Sequence, residues 1–321
     1  MTSDASTFRQ RLRISVLVPT YRRSADLLRC LRALAAQERP PDQIVVVHRS
    51  TDEESIACLR SLNGNHPGIT CVAVDVPGQV AALNAGLAGV TNDVVAITDD
   101  DAAPHVDWLA RIEAHYLENS DVGAVGGRDC VAHEAGAPRK DRVGIVFWYG
   151  RRIGNHHAGI GPARSVDVLK GANMSYRLRA IAGIRFDTRL RGEGAQPHND
   201  LSFSLAVRRA GWKVIYDPAV AVDHFPAPRF DDDQRGARLL PALTNDAHNE
   251  ALAILEHLEP AGRLFFWLWY AGIGTRKLPG LLQCARLGFR RPAIWSELWP
   301  ILRARIQASK LAQRRSTVRK A

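Results

Sequence analysis

The chain has 321 residues, of which 46% are hydrophobic and 24% charged, with a formal net charge of +10. This is an ordinary globular composition, long enough to bury a core without staples, and it excludes a disordered, collagenous or coiled-coil chain. The charge is uneven: residues 261–321 hold thirteen Lys/Arg against one acid, Glu297, while the first 260 residues hold thirty against thirty-two.

Ile14–Val18 (ISVLV), stopped by Pro19, predicts a buried strand. Leu27, Leu28, Leu31 and Leu34 recur at helical spacing over Asp26–Ala36, with Ser24 or Asp26 as a cap. Strands follow at Gln43–Val47, Ile69–Val74 and Asp93–Thr98, with helical patterns between them around Ile56–Leu62 and Val80–Leu87. This alternation predicts an α/β domain with a mostly parallel sheet and helices on both faces. Ligands of such sheets bind beyond the carboxyl ends of the strands. The residues after Val18, Val47 and Thr98 are therefore the first candidates for a site.

Trp108–Tyr116 reads as a further helix. Gly123–Gly127 is glycine-rich, and residues 129–165 have little periodicity, so a loop-rich acceptor side is expected there. Helical character returns over Leu201–Ala210 and strand character over Lys213–Tyr216, ended by Asp217–Pro218.

The basic tail contains Leu264–Gly274 (LFFWLWYAGIG), about half the length of a membrane-spanning helix, cut off by Arg276 and Lys277. Four of the seven tryptophans lie in this tail, interleaved with arginines. That pattern fits an amphipathic segment at an anionic membrane surface; the plain alternative is a helix pair packed on the main domain. With a near-neutral body, no nucleic-acid partner is expected. The organisation expected is a flexible N-terminus at 1–12, a catalytic domain at 13–230 and a helical membrane-interface extension at 231–321.

The cysteines, Cys30, Cys58, Cys71, Cys130 and Cys284, are odd in number with no C-x-x-C pair. A disulfide framework and a thiolate zinc site are not expected, and a reducing compartment is. The start, MTSDASTFRQRLR, lacks the apolar stretch of a signal peptide. The expected location is cytoplasmic, at the inner face of the cell membrane.

The strongest chemical signal is Thr98-Asp99-Asp100-Asp101 directly after a strand. Asp99 and Asp101 point the same way along an extended chain and could share a hard divalent cation, Mg²⁺ or Mn²⁺, bridging to phosphate. A solvated acidic turn is the bland alternative.

At this point the chain resembles a family 2 glycosyltransferase of the GT-A (nucleotide-diphospho-sugar transferase) fold. The resemblance rests on ISVLVPTYRR, VVVHRSTD, ALNAGLAG, ITDDDAAPHVDWL, LKGANMSYR and NDLSFSLAVRRAGWKVIYDPAVAVDHF, in that order across residues 14–225. It implies an inverting, metal-dependent transfer of a sugar from a nucleoside diphosphate sugar to a glycan or lipid-linked acceptor. Pro19, Thr20 and Tyr21 would line the nucleotide pocket, with Arg23 and His48 beside it. Asp99 and Asp101 would hold the metal, with His224 near it, and Asp100 would approach the ribose or sugar. Gly171, Ala172 and Asn173 would form the floor near donor sugar and acceptor. Asp200 would be the general base, twelve residues before Trp212, which would itself line the donor-sugar and acceptor side. Glu193 and His198 are rival bases beside Asn199, and a helix cap is the alternative role for Asp200. His156-His157 reads as loop surface.

Some positions depart from the family pattern. His48-Arg49-Ser50 stands where the family usually has a carboxylate that reads the base. Asn199 replaces the usual Glu before the base, and Leu83 an Arg. These changes leave room for a degenerate sugar-nucleotide or glycan binding protein. A nucleotidyltransferase is the more remote alternative, since PTYRRS carries no phosphate-loop glycine.

Overall fold

The computed structural model describes residues 11–62, 68–131, 138–230 and 238–318. The segment 1–12, expected to be flexible, falls almost wholly outside the described residues.

The first half alternates as the hydrophobic pattern requires. Strands β1 (Ile14–Pro19), β2 (Gln43–Arg49), β3 (Ile69–Val74) and β4 (Val94–Ile97) are separated by helices α1 (Ser24–Ala35), α2 (Glu53–Leu62) and α3 (Gln79–Ala88). The four strands pair in parallel in the order β3-β2-β1-β4. β1 and β4 are buried along nearly their whole length because helices cover both sheet faces, which is why they read as unbroken apolar runs.

The second half comprises β5 (Ala102–Pro104), α4 (Trp108–Glu118), β6 (Val122–Val131), the short β7 (Ile145–Val146), β8 (Arg152–Ile153) and β9 (Arg164–Ser165), then β10 (Met174–Arg177), α5 (Asn199–Arg209) and β11 (Lys213–His224). The sheet continues β4-β10-β6-β11-β5, with β9 beside β11. β10 is antiparallel to both β4 and β6, and β11 is parallel to β6. Two reversals restore the original direction. The carboxyl ends of β1, β2, β4, β6 and β11 therefore share one edge with the amino end of β10.

Two segments depart from their sequence reading. Gly123–Gly127 is the interior of β6 rather than a loop. A Cβ at Gly127 would lie 1.8 Å from the Val220 carbonyl oxygen, so backbone approach, not turn formation, selects glycine there. Nor does β11 stop at Asp217–Pro218: a register shift between Asp217 and Ala221 bulges past the proline and carries the strand on to His224.

The tail folds as α6 (Leu240–Leu255), α7 (Pro260–Trp267), a π-helical stretch (Leu268–Ile273), α8 (Leu281–Gly288) and α9 (Ile294–Val318). Its inner side is core. Phe266, Tyr270, Ala308 and Ala312 belong to the same buried cluster as Leu17, Val45, Leu169 and Phe203. The hydrophobic core thus runs without a break across residue 230. The outer side exposes Leu264, Leu268, Leu282, Trp295, Trp299 and Phe289, the last 97% exposed, beside exposed Arg286, Arg290 and Arg291. The packed-helix alternative thus describes the inner side, and the apolar, arginine-rich outer side lies open. Among the described residues no helix is long and apolar enough to cross a membrane.

Candidate active site

The chain leaves β4 at Ile97 and runs directly into the acid triplet. Thr98 Oγ1 donates to the Ala172 carbonyl at 2.9 Å, fixing the triplet to the segment that precedes β10. Asp100 turns toward β1: it accepts from Thr20 Oγ1 at 2.8 Å and from Arg23 Nη1 at 3.0 Å. Asp99 accepts from Gln79 Nε2 at 3.3 Å. Asp101 accepts from the Ala227 N–H at 2.9 Å and faces His224 Nε2 at 3.2 Å.

Ligand atoms of Asp99, Asp101 and His224 all lie within 4.8 Å of one another. Two carboxylates and an imidazole at this spacing fit Mn²⁺ or Mg²⁺. Behind them, His224 Nδ1 donates to Asp129 Oδ1 at 2.8 Å, and Asp129 Oδ2 meets Lys170 Nζ at 2.9 Å. Asp129 is fully buried.

The charges are strongly perturbed. Burial, with Asp101 beside it, pushes the Asp99 carboxyl up. Burial also takes Asp100 up to about 7, against the pull of Arg23. Burial opposes ionisation of Asp101 too, but His224, the Ala227 N–H and Arg23 outweigh it and hold Asp101 low. Burial disfavours a charged His224, yet its bonds to Asp101 and Asp129 raise it to about 9. Such opposed shifts within one cluster mark a site built to receive charge.

Two cavities meet at Asp99. The narrower, about 160 Å³, is lined by Pro19, Thr20, Tyr21, Arg23, His48, Arg49 and Glu193 together with the triplet. The wider, about 750 Å³, is lined by His156, Lys170, Gly171, Ala172, His198, Asn199, Asp200 and His224, with Asp246 and Lys277 from the tail. Asp200 lies in the first turn of α5, where Oδ1 accepts from the Leu201 N–H at 2.7 Å and Oδ2 from the Gly171 N–H at 3.2 Å. The cap position belongs to His198, in a left-handed conformation with φ 70°, and no side chain caps the helix.

Most candidates converge, but with different duties. Asn199 braces the site: its Nδ2 donates to the Gln196 carbonyl at 3.0 Å and to Gln79 Oε1 at 3.2 Å. His198 is tied by hydrogen bond to Asp246, which also meets Lys277 Nζ at 2.6 Å. The Asn173 side chain is buried below the floor, accepting from Trp108 Nε1 at 2.9 Å and donating to the Val220 carbonyl at 2.8 Å. Glu193 lies at the narrow cavity, apart from Asp200. Trp212 is a correction. It precedes β11, whose opposite end carries His224, so it sits at the far edge of the sheet, packed on Gly123 and under Arg179. His156 is a second correction: it is buried, not surface, with Nε2 donating to the Val168 carbonyl at 2.9 Å. Asp129, Lys170, Asp246 and Lys277 escaped the sequence reading; only the sheet register and the docking of the C-terminal tail bring them in.

The sequence profile described as "Glycosyltransferase like family 2" matches residues 11–236. The chain belongs to this glycosyltransferase family. Among its relatives, the "Glucosyl-dolichyl phosphate glucuronosyltransferase" of Haloferax volcanii is 25% identical over 222 residues, covering 66% of this chain and 69% of that protein. "Glycosyltransferase AglE" of the same organism is 26% identical over 117 residues, 36% of this chain and only 38% of AglE. Of solved structures, S. aureus TarS (residues 1–349) has a TM-score of 0.58 at 16% identity, covering 93% of this chain and 81% of that one. A mannosyltransferase from Pyrobaculum calidifontis, in complex with GDP-Man and Mn²⁺, has a TM-score of 0.53 at 20% identity, covering 93% and 87%. These structures share the GT-A fold with this glycosyltransferase, and the family sets the nucleotidyltransferase reading aside.

Proposed function

We propose that this glycosyltransferase is metal-dependent and inverting, with the donor in the narrow cavity and the acceptor in the wide one. The observation that carries the reading is the placement of Asp200 in the wide cavity, which also opens onto Asp99 and His224. Asp99, Asp101 and His224 would hold a divalent cation, which when bound supplies Lewis-acid neutralisation of a diphosphate leaving group. Asp200 takes the proton of the acceptor hydroxyl as that oxygen attacks the anomeric carbon, a contribution of roughly 10²–10⁴-fold. The Gly171 N–H holds one Asp200 oxygen in place, and Oδ1 is fixed by the Leu201 N–H, so the carboxylate is oriented before substrate arrives. With the base in the acceptor cavity, the acceptor oxygen attacks opposite the leaving group, which inverts the anomeric carbon. The intact set of Asp99, Asp101, Asp200 and His224 favours turnover over a binding-only role.

The acceptor proposed is a glycan or lipid-linked chain presented at an anionic membrane surface. Support comes from the exposed apolar and arginine-rich outer side of the tail, and from a relative named for a dolichyl phosphate substrate. The test of mechanism is the anomeric configuration of the product, followed by NMR with and without Mn²⁺. Inversion that requires the metal is expected; retention would overturn the single-base mechanism.

A further inference from the structure

The narrow cavity follows the sheet edge. Its acid end lies after β4, Tyr21 follows β1, His48 and Arg49 end β2, and Val74 ends β3. At about 4.8 Å per strand, β2 lies about 10 Å from β4, the reach from a diphosphate to a nucleobase. The walls far from the acids, the Tyr21 ring and Val74, suit a flat heterocycle. At this end no carboxylate lines the cavity; its polar groups are His48 and Arg49.

Their geometry fixes their hydrogen-bonding sense. His48 Nδ1 lies 2.9 Å from the Arg49 carbonyl oxygen. A carbonyl oxygen only accepts, so Nδ1 carries a proton, and in the tautomer this fixes, Nε2 is the acceptor. No hydrogen bond among the described residues engages Nε2. Arg49 Nε is buried and has no hydrogen-bond partner among the described residues, while its guanidinium carbon lies 5.9 Å from the Tyr21 ring centroid. Among the described residues no hydrogen bond engages the terminal N–H groups of Arg49 either, so an acceptor and a donor set stand open together at the cavity wall for a ligand to complete.

We propose that His48 Nε2 and the Arg49 guanidinium read the donor base as a pair, His48 accepting an imino N–H and Arg49 donating to the carbonyl next to it. The chemical class is a base carrying that pairing edge: uracil, thymine or guanine. Cytosine and adenine present a ring-nitrogen lone pair at the same place and meet the His48 lone pair head-on. The imidazole thus replaces a carboxylate as acceptor and keeps selectivity for an imino base. This inference rests on the donor reading of the narrow cavity.

The experiment is calorimetric titration of the full chain with UDP, dTDP, GDP, CDP and ADP in Mn²⁺, with His48→Phe, His48→Gln and Arg49→Gln alongside. At least one imino base should bind at least tenfold tighter than CDP and ADP, about the effect of one mismatched buried hydrogen bond. His48→Phe should reduce the ratio to within about threefold. His48→Gln, which retains an acceptor, should keep part of it, and Arg49→Gln should weaken the imino bases selectively. CDP or ADP binding as tightly as the best imino base overturns the proposal. So does an unchanged ratio in both His48→Phe and Arg49→Gln. Wild-type protein that binds none of the five contradicts the donor reading itself, a result distinct from binding without discrimination.

Discussion

The two cavities that meet at Asp99 are built by different means. The narrow one is made mostly of the ends of neighbouring parallel strands, closed by the start of α3, the 193–195 segment and Arg229, so most of its geometry follows from the sheet. The wide one is assembled from distant pieces: the β7–β8 hairpin, the segment before β10, the start of α5 and the tail. Ion pairs join these pieces across the chain, Arg152 Nε to Glu250 Oε1 at 2.7 Å over 98 residues, and Lys277 Nζ to Asp246 Oδ2 at 2.6 Å. The difference teaches that, under the proposed division, the donor side depends mainly on the sheet edge, whereas the acceptor side depends on how the C-terminal helices dock.

The largest effect should come from the wide cavity. Asp200→Asn keeps the shape but cannot take a proton, so kcat should fall roughly 10²–10⁴-fold with donor KM little changed. A near-normal kcat would give the base role to another group and dissolve the division of labour between the cavities.

Asp129→Asn probes the support behind the metal-binding candidates where the two cavities meet. Asp129 accepts from both His224 and Lys170, and an amide cannot accept at both ends. Turning its NH₂ toward His224 would put the ring proton on Nε2, facing Asp101. Mn²⁺ affinity, read by the spin resonance of free Mn²⁺, should fall about 10–100-fold. An unchanged affinity would limit the metal site to its three nearest side chains.

The tail offers a paired stability comparison. Phe266 is fully buried in the common core, so Phe266→Ala should cost roughly 3–5 kcal/mol and lower one cooperative melting transition for the whole chain. Phe289→Ser should leave melting within about 0.5 kcal/mol, since the side chain is 97% exposed. Combined with Trp299→Ser it should weaken binding to anionic vesicles. A tail that melted separately would make it an appendage, and unchanged vesicle binding would remove the membrane-surface reading.

What was legible in the sequence follows the same division. Ile14–Pro19, Gln43–Arg49 and Val94–Ile97 are local apolar runs, and the acids after the last of them announce themselves by position. His224 and Asp200 were visible through the resemblance. Asp129 was not, because its meeting with His224 depends on the β6–β11 register, in which Val131 pairs with His224. Gly123–Gly127 hid a central strand because close backbone approach and a loop select the same residue. Asp246 and Lys277 were invisible because their role depends on a tertiary docking that no local period records. Trp212 was misplaced for the converse reason: a sequence interval says nothing about which edge of the sheet a strand end reaches.

The most direct measurement is nucleotide binding to wild type and Asp101→Ala, followed by melting temperature with and without Mn²⁺. Ligand binding to the native state raises its stability, so the account predicts a metal-dependent rise with at least one nucleoside diphosphate in wild type and none in Asp101→Ala. An equal rise in both proteins, or one that does not need the metal, would contradict it.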